Sequence, residues 1–125
     1  MKKTIFLDID GCIFKHHGNL IRQVTIDPIL LDGVLEKINE WNEKDYMIIL
    51  TTGRKKCSRK ITEEQLSKYG IFYDKLIMGL PRGERVVIND RKTIKKANGY
   101  NSASDFNVAS AIQINRNEGL SNVNL

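Results

Sequence analysis

Short apolar runs, each closed by side chains able to carry chemistry, constrain this chain more than any other feature. TIFLDI runs into Asp8 and Asp10, YMIILTT ends in Thr51 and Thr52, and RVVIND ends in Asp90. β-Branched and aromatic residues dominate these runs, and Gly11 and Gly53 follow two of them, so each reads as a buried strand entering a loop. A weaker strand falls around DKLIMG, ahead of Pro81. Helical patterns lie between. Ile29, Leu30, Val34, Leu35, Ile38 and Trp41 recur at helical spacing behind Asp27 and Pro28, which suit an N-cap and first helical residue. Gly33 weakens that helix without ending it. Thr62 and Gln65 fit a capping box, with Leu66 and Tyr69 on one face and Gly70 as the stop. SAIQIN reads as a last edge strand, and the RNEGLSNVNL tail carries no clear signal.

Alternation of strands and helices predicts an α/β fold with a mainly parallel sheet. A chain of 125 residues builds one core, so residues 1–125 are expected to form a single doubly wound domain. Residues 11–26 lack periodicity and read as a flap or small hairpin. MKKTIF begins like a secretory leader, but Asp8 and Asp10 interrupt the apolar stretch and no small-residue cleavage site follows. No run is long enough to span a bilayer, so a cytoplasmic protein without membrane contact is expected. Cys12 and Cys57 are far apart and lack metal-ligand spacing, which fits two reduced thiols. His16 and His17 are adjacent and point apart in an extended chain, which disfavours a joint metal site. The formal charge of +5 attracts anions, phosphorylated metabolites and nucleic acid among them.

In an open parallel sheet, ligands bind beyond the carboxyl ends of the strands, which is where these polar residues fall. Two carboxylates on one turn and a third from another strand make an oxygen-rich site suited to a hard cation such as Mg2+. Such an ion can hold a phosphoryl oxygen beside an ionised carboxylate. A carboxyl group two residues on can protonate a departing alkoxide and then activate water. Thr52 offers a hydroxyl and Gly53 a close-approaching backbone to phosphate oxygens. An acidic turn or a TTGR loop alone is ordinary; their ordered combination is not.

FLDIDGCIF resembles the first signature of the haloacid dehalogenase (HAD) superfamily, IILTTGR resembles the second and RVVIND the fourth. The resemblance implies a Rossmann-like three-layer sandwich, a Mg2+ requirement and an aspartyl-phosphate intermediate. It implies Asp8 as nucleophile and metal ligand, and Asp10 as acid/base, binding the metal through its carbonyl. Thr52, with Thr51, Gly53 and Arg54, would bind phosphate, and Asp90 would complete the metal site. Asp10 favours phosphoryl transfer over dehalogenation, because only an alkoxide leaving group needs that proton. The third signature lysine has no match. Arg85 is the first choice for its charge, with Arg82 and Lys92 as alternatives. The gaps between motifs hold no cap domain, which in this family goes with large substrates or with closure by a neighbouring copy. Some segments also resemble small phosphatases of bacterial polysaccharide and nucleotide-sugar pathways. The expected activity is therefore hydrolysis of a phosphate monoester, a sugar phosphate or similar metabolite. The alternatives are a polynucleotide 3′-phosphatase and an inactive binding module.

Overall fold

Three parallel strands organise the first of two compact units in the computed structural model, which describes residues 2–90, 93–95, 101–103 and 108–125. This unit comprises Met1–Arg82 and Ile114–Leu125. β1 (Thr4–Asp8), β2 (Met47–Thr51) and β3 (Lys75–Ile77) lie in the order β1-β2-β3. β1 alternates, burying Ile5 and Leu7 while Thr4, Phe6 and Asp8 are exposed. The middle strand β2 buries Ile48, Ile49 and Leu50 in succession. Parallel neighbours need a crossover, and helices supply it: α2 (Val34–Glu43) joins β1 to β2, and α3 (Arg59–Lys68) joins β2 to β3. A shorter helix, α1 (Leu20–Thr25), sits in the excursion ahead of α2.

α2 turns Val34, Ile38 and Trp41 inward, a spacing that lines up one helix face. Burying each such side chain contributes about 1.5–3 kcal/mol, enough to hold a helix whose intrinsic stability is marginal. α2 begins at Val34 and not behind Asp27 as its sequence suggests. Gly33 is the residue before the helix, with φ of +72°, and a Cβ there would lie 2.4 Å from Ser121 Oγ. The backbone of Asp32 accepts the Leu120 amide at 2.8 Å, so the C-terminal segment occupies the space that an earlier helical turn would need. Leu120 and Val123 are buried in the core, giving the tail a packing role that its sequence did not reveal.

Two other expectations change. α1 forms within 11–26, capped by Asn19, whose Oδ1 accepts the Arg22 amide at 2.9 Å. The capping box does not form, because α3 starts at Arg59 and places Thr62 and Gln65 inside the helix on its buried face. The helix does stop at Gly70, after Tyr69.

The second unit, Gly83–Gln113, contains an antiparallel hairpin of β4 (Thr93–Lys95) and β5 (Asn101–Ala103). Residues 85–90, expected as a strand, carry none, and Ile88 is 93% exposed. SAIQIN likewise forms no strand. An apolar run is compatible with a strand, but only a partner ladder and a covering layer make it one. The α/β class holds, with a smaller sheet than the motifs suggested. Among the described residues no helix is long and apolar enough to cross a membrane.

Candidate active site

The chain leaves β1 through a turn wound on a single carbonyl. Ile9 O accepts the amides of Cys12, Ile13 and Phe14, and Gly11 N returns to Phe14 O at 2.7 Å. Ile9, Ile13 and Phe14 are fully buried, which fixes the turn and leaves Asp8 and Asp10 at the carboxyl end of the sheet. Asp8 is exposed and pairs in register with Thr51 of β2. Register partners on adjacent strands share a face, so carboxylate and hydroxyl stand side by side. Burial pushes the Cys12 thiol up to about 11, and the Asp8 and Asp10 carboxylates add to the rise.

Asp10 is held differently. Its side chain is 9% exposed and receives a bidentate pair from Arg54, Nη2 to Oδ1 at 2.8 Å and Nε to Oδ2 at 2.9 Å. Gln23 Nε2 adds a bond to Oδ1 at 2.7 Å. Arg54 is 0% exposed, and its Nη1 donates to Thr62 Oγ1 at 3.1 Å and Gln65 Oε1 at 2.6 Å. A planar guanidinium with five donors suits this enclosed site where a lysine would not.

The expected phosphate-binding residues divide. Thr51 and Gly53 are partly exposed at the strand end. Thr52 is 1% exposed, and its hydroxyl accepts the Arg54 amide at 3.1 Å. Arg54, expected to contact substrate, faces inward onto Asp10.

Asp90 and Arg85 belong to the second unit, where both are exposed and the strand expected to carry them is not formed. Arg85 Nη1 donates to Gly83 O at 3.1 Å. Arg82 is exposed at the end of the first unit's main stretch, and Lys92 lies outside the described residues.

Sequence reasoning missed Gln23, Gln65, Thr62 and Arg116. Thr62 and Gln65 share a helix face with buried Leu66, and that spacing was the available sign that they point inward. Arg116 gave no local signal, because the tail brings it over the β1 turn from far away. A Cβ at Gly11 would lie 3.4 Å from Arg116 Cγ, and Asn117 N donates to Gly11 O at 2.9 Å.

Asp8 and Asp10 offer the hard oxygen donors that Mg2+ prefers. Among the described residues, no group of three His, Cys, Asp or Glu side chains could by itself hold a metal ion. With the Asp10 carboxylate occupied by Arg54 and Gln23, that residue's contribution from the first unit would be its main-chain carbonyl.

The fold and site define an α/β protein with an acidic loop at the carboxyl end of parallel strands. No protein-family model matches the chain. No curated protein matches it either. Among solved structures it is similar to a chain of the Pnkp1/Rnl/Hen1 complex, with 29% identity and a TM-score of 0.55 over 62% of this chain and 28% of that one. A chain of the Pnkp1/Rnl/Hen1 RNA repair complex matches with 30% identity and a TM-score of 0.53 over 62% of this chain and 25% of that one. This chain therefore spans only about a quarter of those neighbours. A crystal structure from Vibrio cholerae shares the fold at 20% identity, with a TM-score of 0.50 over 70% of this chain and 79% of that one.

Proposed function

We propose that this chain is a Mg2+-dependent phosphomonoesterase of HAD-like fold, acting on a phosphorylated small molecule through an aspartyl-phosphate on Asp8. The observation that carries the reading is an exposed Asp8 beside Thr51, two residues from a second carboxylate held by Arg54 and Gln23. In the first step an Asp8 oxygen attacks phosphorus, the bond to the leaving oxygen breaks, and Asp10 gives that oxygen its proton. In the second, Asp10 takes a proton from water, the water oxygen attacks the same phosphorus, and Asp8 is released with inorganic phosphate. Thr51 and the Gly53 backbone supply donors to the phosphoryl oxygens. Asp8 and the Asp10 carbonyl would offer the first unit's oxygen ligands to the cation, which would supply positive charge against the phosphoryl oxygens. Arg116, resting on Gly11, is the first unit's own candidate for the missing third-motif charge. Lacking a cap between the motifs, the site would be closed by a large substrate or by a second copy of the chain.

A second reading, a polynucleotide 3′-phosphatase, draws support from the likeness to RNA repair chains. Exposed Lys55 and Lys56 following Arg54, and Lys60 in the first turn of α3, add positive charge. A panel of phosphorylated sugars, nucleotides and 3′-phosphorylated oligonucleotides, assayed with Mg2+, separates the two. Turnover of the small esters with weak salt dependence is expected. Preference for oligonucleotides with steep loss at modest salt favours the second reading. Absence of hydrolysis across the panel contradicts both.

A further inference from the structure

We infer that Gln23 is a positioning residue for the acid/base carboxyl group, which makes α1 part of the active site. This rests on Asp10 being the acid/base residue. Gln23 is 2% exposed, and every polar atom of its side chain is engaged. Its Nε2 donates to Asp10 Oδ1 at 2.7 Å and to Lys15 O at 3.1 Å, while its Oε1 accepts the His17 amide. The Lys15 and His17 contacts fix the amide orientation, because only one end of the group can donate. Its backbone carbonyl accepts Gln65 Nε2 at 3.0 Å, and Gln65 Oε1 accepts Arg54 Nη1 at 2.6 Å. Arg54 closes the ring on Asp10. The loop of contacts runs Asp10, Arg54, Gln65, Gln23 and back to Asp10, and Gln23 is its link to the excursion between β1 and α2.

This arrangement has a chemical consequence. With all three donors in place, both Asp10 oxygens are engaged. To deliver a proton to a leaving group, one oxygen must be released from its donors. Oδ1 carries two of the three bonds, from Arg54 and Gln23, and Gln23 is the partner that belongs to a short surface helix. Gln23 thus sets which Asp10 oxygen faces the reaction.

The test compares wild type with Gln23→Met, which removes the donor at similar volume, and Gln23→Asn, which keeps the site polar but is too short to reach. Misplacing a general acid should lower kcat/KM, which reports the transfer to Asp8, by about tenfold or more on alkyl phosphates. On an aryl phosphate whose leaving group needs no proton, kcat/KM should change little. The Arg54 Nε–H resonance, observed by NMR in the same proteins without substrate, should shift in both variants. Equal losses on both ester classes, or an unmoved Arg54 signal in a folded variant, overturn the inference. If wild type hydrolyses neither ester, the phosphatase reading fails, and the NMR comparison alone decides whether Gln23 holds the Asp10–Arg54 pair.

Discussion

Removing the Arg54 cation should destabilise the protein far more than a usual surface change, and removing Asp10 should do nearly the same. In Arg54→Met, the Asp10 carboxylate, 9% exposed, keeps the Gln23 donor and loses both bonds from Arg54, and the acceptors Thr62 Oγ1 and Gln65 Oε1 lose the Arg54 Nη1 donor. Breaking a buried pair from one side costs about 3–5 kcal/mol, against a total stability of about 5–15 kcal/mol for a native protein. In Asp10→Asn the guanidinium is left enclosed without its counter-ion, at a cost of the same order, about 3–5 kcal/mol. The double variant has no unpaired charge, so its loss should be close to that of either single change. The coupling should therefore be about 3 kcal/mol. Urea unfolding in metal-free buffer measures it. With a slope of about 1–3 kcal/mol per molar, each single variant should move the midpoint by roughly 1 M or more. Losses that add to within about 0.5 kcal/mol would refute the idea that one enclosed pair links the two residues.

Gly33→Ala places a Cβ at positive φ and against Ser121, and should lower stability by about 1–3 kcal/mol in the same urea assay; an unchanged midpoint would contradict the close approach of the tail. The Cys12 thiol, pushed up to about 11, holds its proton through neutral pH, so at pH 8 only about one part in a thousand is thiolate. Alkylation followed by peptide mass spectrometry should label exposed Cys57 first at pH 8, with Cys12 rising as pH climbs towards its elevated value. Similar labelling rates at both cysteines would contradict the shielding of Cys12 by burial and the two carboxylates.

The strands of the site were readable because β-branched runs that end in polar residues mark both a buried strand and the place where it leaves the sheet. β1 and β2 fall inside the runs so marked, and β3 falls inside the weaker DKLIMG run. The interior of the site was not readable, because its residues play roles their local context does not announce. Thr62 and Gln65 satisfy the spacing of a capping box, yet burial beside Leu66 turns them to Arg54. Asp27–Pro28 is a sound helix start on local terms, but the tail at Gly119–Ser121 fills the space where that turn would lie. That contact joins residues most of the chain apart, beyond the reach of any periodicity. RVVIND has strand composition, and composition does not supply a pairing edge. Arg54 looked like a phosphate ligand from its place after Gly53; only its enclosure reveals the carboxylate as its partner.

The most direct measurement of the proposed chemistry is a search for the covalent intermediate on Asp8. Purified protein mixed with an aryl phosphate and Mg2+ is quenched in acid during turnover, reduced with borohydride and digested for peptide mass spectrometry. An acyl-phosphate on Asp8 is reduced to homoserine at residue 8, and the account predicts that product in wild type and its absence in Asp8→Asn, which should also lack turnover. Hydrolysis that proceeds without the adduct, or an adduct on another residue, would contradict the assignment of Asp8 as nucleophile.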